Sequence, residues 1–193
     1  MEKILTHDGS YTWFNGAMQE AYHSMGGAVQ EAERVYVRGC QLDQRARTQD
    51  LIHILDIGFG LGYNVFVAIQ KIREINPRCR IRVTSFESSK AVLDFKDYPE
   101  SICSLAAQIK STWQQVGDCI TYRDESTELL IALGDARALI RRVEHPVDAI
   151  FLDPFSPPKN LELWTVDFFR ELKRCLKQEG VLATYSIATP VIA

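Results

Sequence analysis

Short apolar runs alternate with amphipathic stretches along most of this chain, and the two periodicities predict different elements. Ile52 to Ile57 reads as a buried strand, Val65 to Ile75 as a helix and Arg80 to Glu87 as a second strand. Ala91 to Tyr98 and Ser101 to Gln115 read as helical, Ile120-Thr121-Tyr122 as a short strand, and Thr127 to Leu133 fits either strand or helix. Ala136 to Val143 predicts a helix and Val147 to Leu152 another buried strand. Thr165 to Cys175 is helical, with Val166, Phe169, Leu172 and Leu176 at helical spacing, and Gly180 closes that stretch before a strand over Val181 to Tyr185. Strands of this kind alternating with helices imply an α/β fold with a parallel sheet covered on both faces.

The first fifty residues break the pattern. Thr6-His7-Asp8-Gly9-Ser10 is a turn, a Gly26-Gly27 pair precedes Ala28 to Ala32, Val35-Tyr36-Val37 reads as a short strand, and Gln41 to Asp50 is polar enough for a loop. Residues 1–50 are therefore expected to be an extension packed on the core, and residues 51–193 the Rossmann-like domain itself.

The first strand runs into Asp56-Ile57-Gly58-Phe59-Gly60-Leu61-Gly62, and a helical pattern starts near Asn64. Glycines let the chain take positive φ and bring bare backbone to a ligand, and the next helix offers unpaired N–H groups. The dinucleotide fingerprint G-x-G-x-x-G needs its third glycine at position 63, where Tyr63 stands, so a pyrophosphate cradle is disfavoured. An acidic residue opening the turn suits a cationic ligand without phosphate, and S-adenosylmethionine is one. The alternative is a tight turn that binds nothing.

Composition narrows the setting. A chain of 193 residues, 46% hydrophobic, can bury one sizeable core. It has no apolar run of the roughly 18 to 20 residues that span a bilayer and no signal-peptide pattern after Met1, so a cytoplasmic location is expected. Five scattered cysteines without a C-x-x-C indicate neither a disulfide framework nor a zinc cluster, and no metal is expected. The net charge of −3 argues against gripping nucleic acid through bulk charge alone, although local arginine clusters such as Arg137, Arg141 and Arg142 leave room for a basic face.

Candidate chemistry sits at the strand ends, where an open α/β sheet forms its ligand crevice. Glu87 ends the second strand and can accept both ribose hydroxyl protons, or else cap the following segment. Gly134-Asp135-Ala136 can set Asp135 against an adenine amino group, or Asp135 is a plain N-cap. Asp56 can reach the cofactor's amino group directly or through water. The stretch Asp153-Pro154-Phe155-Ser156-Pro157-Pro158-Lys159-Asn160 is an acidic, proline-stiffened loop that can present Asp153 and Phe155 with little ordering cost. Methyl transfer to an amine needs a positioned nitrogen lone pair; a carboxylate can orient the amine and accept its proton, and an aromatic ring can stack on a base or pack against a sulfonium.

That loop, followed by Leu163-Trp164-Thr165, resembles the signature of the methyltransferase domain of MnmC, the bacterial tRNA wobble-uridine modification enzymes. Asp8-Gly9-Ser10-x-Thr12, Glu20-Ala21-Tyr22-His23-Ser24, Gly26-Gly27-Ala28, Glu31-Ala32-x-x-Val35-Tyr36 and Gly58 to Asn64 resemble further parts of that family, with Leu161 departing from a frequent proline. The resemblance implies a class I fold that uses S-adenosylmethionine to methylate the primary amine of 5-aminomethyl-(2-thio)uridine in the anticodon loop of tRNA. It implies Gly58, Gly60 and Gly62 at the cofactor turn, Glu87 at the ribose and Asp135 at the adenine, and Asp56, Asn64 and Ala136 beside them are further candidates for cofactor contact. Asp153 and Phe155 form the amine site, and Tyr22, Glu31, Lys159 and Trp164 are candidates for the substrate side; Trp164 could instead be a core anchor for its helix, which its helical spacing favours. Such a sheet normally has seven strands, so the final antiparallel pair is expected to be missing, together with any FAD-dependent oxidase domain, and the bare edge invites self-association. Two other readings stay open: a small-amine methyl- or aminopropyltransferase, for which Asp148 and Asp153 supply the only acids near the loop in sequence, and a truncated module that binds cofactor or tRNA without turnover.

Overall fold

The computed structural model describes residues 1–186. Three short strands, β1 (Glu2–Leu5), β2 (Tyr11–Asn15) and β3 (Glu20–Ala21), form an antiparallel sheet in that order. Helix α1 (Ala28–Glu31) continues into π-helical turns over Ala32–Val37, and α2 (Leu42–Thr48) comes next. The larger sheet contains β4 (Leu51–Ile57), β5 (Arg80–Glu87), β6 (Gln114–Val116), β7 (Cys119–Arg123), β8 (Thr127–Leu133), β9 (Val147–Leu152) and β10 (Leu176–Thr184). Between them run α3 (Tyr63–Ile75), α4 (Glu100–Thr112), α5 (Ala136–Leu139) and α6 (Val166–Cys175).

The strand order is β10-β9-β4-β5-β8-β7-β6, and β10, β9, β4, β5 and β8 are parallel. The order reverses between β4 and β9, and that is where an α/β sheet opens its ligand crevice. Every residue of β9 is buried, as are Ile52 to Ile57 of β4, because both faces of these central strands are covered. One face packs Ile52, Ile54, Ala149 and Phe151 against α3 and the segment after β3, including Ala28, Ala32, Tyr36, Leu42 and Ala46. The other packs Leu55, Ile57, Ile150 and Leu152 against Ile140, Trp164, Phe168 and Leu172.

Several expectations change. Val35-Tyr36-Val37 belongs to the π-helical turns, because Ala28, Ala32 and Tyr36 recur every four residues and bury one face against α3. Gln41 to Asp50 holds helix α2, since Leu42 and Ala46 share the same spacing among polar neighbours. Only Lys90–Asp94 of the stretch to Tyr98 is helical, a 3-10 turn, and Pro99 disfavours helix at the residue before it. The following helix ends at Thr112 and Gln114–Val116 becomes an edge strand; Thr127 to Leu133 is a strand, hydrogen-bonded by β5 and β7 on either side. Helix α6 buries Phe168, Leu172 and Cys175, while Val166 is exposed. The five parallel strands match the expected core, but the antiparallel pair that brings the sheet to seven is the β6–β7 hairpin on the β8 edge. Among the described residues β10 is bonded to β9 alone.

Candidate active site

A cavity of about 750 Å³ opens at the C-terminal ends of β4, β5, β8 and β9 and is roofed by residues of β2, β3 and the segment after β3. That is ample for a nucleoside-sized ligand.

Glu87 closes one side. It is 7% exposed and lines the cavity, and its two oxygens accept the amide hydrogens of Ser89 at 2.7 Å and Gly60 at 2.8 Å. Burial pushes its pKa up against these bonds. Gly58 and Gly60, with φ of 94° and 51°, both line the cavity. A Cβ at Gly58 would stand 2.7 Å from the Asp153 carbonyl oxygen, so the turn after β4 and the loop after β9 touch backbone to backbone. Gly62 is not part of the lining; its φ of 87° starts α3, and a Cβ there would lie 2.7 Å from the Phe66 ring. Asp56 lies beneath the cavity wall, 1% exposed, with Ser85 donating to one oxygen at 2.5 Å and the other oxygen without a partner among the described residues. Burial pushes its carboxyl up to about 8, and Glu87 adds like charge. Asp135 and Ala136 line the far wall; Asp135 caps α5 by accepting the Arg137 N–H at 2.8 Å and also holds the Arg137 guanidinium, which keeps its pKa low.

The opposite end is built around Asp153. Tyr36 Oη donates to Oδ1 at 2.6 Å and Asn64 Nδ2 to Oδ2 at 2.6 Å. Burial raises the Asp153 carboxyl well above the usual carboxylate range, helped by Glu31 and Asp56 and opposed by these two bonds. Asn64 therefore serves Asp153 from below, lies off the cavity lining, and keeps its own buried Oδ1 without a donor among the described residues. Phe155 packs against Tyr22, ring centroids 5.0 Å apart, and both line the cavity. Trp164 lies off the cavity lining as an anchor: it is 1% exposed, packs in the core under the loop, and donates Nε1–H to the Phe155 carbonyl at 3.0 Å. Lys159 is exposed on the outer side of the loop and does not line the cavity.

Three positioning groups escape a reading of the sequence. Tyr36 sits in a run that reads as a strand. Glu20 on β3 accepts the Ser156 hydroxyl at 2.6 Å, and Tyr185, just past β10, donates to the Pro154 carbonyl at 3.0 Å, so two elements hold the loop from above. Glu20 and Tyr36 lie within the N-terminal runs that carry the family resemblance, which is the available signal. The supply of acids is also corrected: Glu20, Glu31, Glu87, Asp135, Asp153 and Glu162 line the cavity, and Arg137, the arginine among the described lining residues, is already held by Asp135. The chain's fold brings these carboxylates together from segments far apart in sequence.

These features fit S-adenosylmethionine. Positive-φ glycines bring backbone to the wall, a buried carboxylate stands where a ribose could donate to it, and the acid-rich lining suits a cationic ligand.

A family profile described as S-adenosyl-L-methionine-dependent methyltransferase matches residues 97–193. The chain is 33% identical, over 96% of its length, to the tRNA 5-methylaminomethyl-2-thiouridine biosynthesis bifunctional protein MnmC of Aromatoleum aromaticum. It is 29% identical to the corresponding protein of Cupriavidus metallidurans over 97% of its length. It spans 30% and 29% of those two relatives. The solved structure of MnmC2 from Aquifex aeolicus superposes with a TM-score of 0.89 at 36% identity, covering 99% of this chain and 61% of that one.

Proposed function

Because the chain belongs to the S-adenosyl-L-methionine-dependent methyltransferase family, we propose that it methylates the primary amine of 5-aminomethyl-(2-thio)uridine at the wobble position of tRNA. One observation carries this reading: Asp153, Phe155 and Tyr22 share a single acid-lined cavity with Glu87 and the glycine turn.

Bound S-adenosylmethionine supplies an electrophilic methyl group on a cationic sulfur. The chain's residues do the rest. Glu87 holds the ribose end, the backbone at Gly58 and Gly60 shapes the floor, and Asp135 with Ala136 borders the base. Asp153, fixed by Tyr36 and Asn64, orients the incoming nitrogen. A base splayed out of the anticodon loop can stack on the Tyr22–Phe155 pair, as single-stranded RNA recognition requires. The acid lining also favours a second reading, methylation of a small free amine.

The test is methyl transfer from labelled S-adenosylmethionine to bulk tRNA from a strain lacking the wobble methylase, followed by nucleoside analysis. Label recovered as 5-methylaminomethyl-(2-thio)uridine supports the proposal. Label on polyamines with none on tRNA supports the second reading and overturns the first.

A further inference from the structure

We propose that Glu31 receives the incoming amine: its carboxylate holds the ammonium in the cavity and takes one proton from it, freeing the nitrogen lone pair. This role rests on the proposed methylation for the class of substrate, a primary amine, and adds the proton acceptor.

An aliphatic amine is protonated near neutral pH and an ammonium has three donors and no lone pair to offer. Deprotonation breaks one N–H bond, leaves its electron pair on nitrogen and forms an O–H bond on the acceptor. Six carboxylates line the cavity that holds Phe155 and Tyr22; Glu87 is engaged by two backbone amides, Asp135 by Arg137, and Glu162 is exposed and accepts from Asn160, which leaves Asp153, Glu20 and Glu31. Asp153 has both oxygens engaged by buried donors, Tyr36 Oη and Asn64 Nδ2, each at 2.6 Å. Glu20 is engaged in holding the loop, accepting the Ser156 hydroxyl at 2.6 Å and the Ser156 amide at 3.3 Å.

Glu31 differs from both. Its Oε2 accepts the Ser24 N–H at 3.0 Å, which fixes the carboxylate, while its Oε1 has no hydrogen bond or ion pair among the described residues. Asp153 from the loop after β9, Tyr36 from the π-helical turns and Tyr185 past β10 all face it closely enough for its charge to oppose their ionisation. Glu20 and His23 line the same cavity from the β3 side, and burial holds His23 down at about 4, so it is neutral and brings no compensating cation. Carboxylates gathered without a cation are costly unless a positive ligand arrives. A fixed carboxylate with one free oxygen beside the orienting Asp153 has what a general base needs.

The experiment uses sinefungin, an S-adenosylmethionine analogue that carries a primary amine in place of the transferable methyl, and S-adenosylhomocysteine, which has the same amino-acid end and neither group at that position. Calorimetric titration of both ligands into wild type and Glu31→Gln near neutral pH reads the contact without tRNA. Glutamine can still accept from Ser24, so the fold is kept. Glu31→Gln should lose about tenfold or more in sinefungin affinity while S-adenosylhomocysteine affinity changes by less than about twofold. Unchanged sinefungin affinity, or equal loss for both ligands, overturns the assignment. With aminomethyl tRNA, the turnover deficit of Glu31→Gln should narrow between about pH 7 and about pH 9.5, as the amine gives its proton to water; a deficit independent of pH also overturns it. Selective loss of sinefungin binding in a protein that labels no tRNA would leave Glu31 as the amine contact and remove the substrate reading instead.

Discussion

Asp56→Asn isolates a proton that the fold forces onto a buried carboxyl. Asp56 is 1% exposed, one oxygen accepts from Ser85 and the other has no partner among the described residues, so burial lifts its pKa from 3.8 to about 8. The folded chain then keeps a proton that the unfolded chain releases. This stabilisation is complete below the unfolded value and is lost as pH rises through about 8. From pH 6.5 to pH 8 the slope is about 1.4 kcal/mol per pH unit and halves at the folded pKa, a total loss on the order of 1–2 kcal/mol. An asparagine amide keeps the shape and titrates nowhere, while His23, His53 and Lys110 titrate alike in both proteins and cancel in the difference. Urea unfolding of ligand-free wild type and Asp56→Asn at the two pH values measures it. The variant should gain on the order of 1–2 kcal/mol on wild type between them. A difference constant to within about 0.5 kcal/mol would mean that Asp56 folds as an anion, and the reasoning from desolvation would be wrong.

Glu87→Ala should weaken S-adenosylmethionine binding by about tenfold or more in a calorimetric titration, because a charged acceptor is removed from the cavity wall; unchanged affinity removes the ribose assignment. Tyr36→Phe deletes the 2.6 Å bond to Asp153, so it should lower kcat while leaving cofactor Kd near wild type, at about 1–2 kcal/mol in stability by urea unfolding; a changed Kd with unchanged kcat would place Tyr36 in the cofactor site. Gly58→Ala puts a Cβ 2.7 Å from the Asp153 carbonyl at a φ of 94°, and should cost about 1–3 kcal/mol in thermal or urea unfolding. A neutral result would show that the turn and the loop move apart easily.

How much of the fold and the site is legible in the sequence depends on whether a signal is local. The central strands are, because a strand buried on both faces is an unbroken apolar run, and Val147 to Leu152 matches residue for residue. So is the chemistry of the Asp153 loop, where an acid, an aromatic and three prolines stand together. The N-terminal helices are not. Leu42 and Ala46 are too few apolar positions to announce a helix among charges, and Val35-Tyr36-Val37 carries β-forming residues that packing against α3 overrides. The roles of Trp164 and Asn64 are equally hidden, since a tryptophan under a loop and an asparagine on a helix look the same in sequence whether they face a ligand or brace a neighbour. Residues 187–193 lie outside the described residues, and the expected absence of a final antiparallel pair beyond β10 lies outside them too.

The division of the cavity between two parts of the chain bears on how the site works. Tyr36, Glu20, Glu31 and Tyr22 come from the first fifty residues, and each meets a residue of the strand-end loops or shares the cavity with them. On the proposed function the sheet would supply the floor and the cofactor contacts, while the N-terminal segment would supply the acid and aromatic surface that an amine-bearing base meets. Such an arrangement separates two demands. The glycine turn has to be rigid to hold one small ligand, and its glycines pack against backbone and aromatic rings. On the proposed function the amine end has to stabilise a cation and then take up its proton, and its carboxylates are drawn from different elements, so that no single strand bears their mutual repulsion. A change in the N-terminal segment should therefore alter which amine is accepted before it alters cofactor affinity, whereas a change at Gly58 or Glu87 should do the reverse.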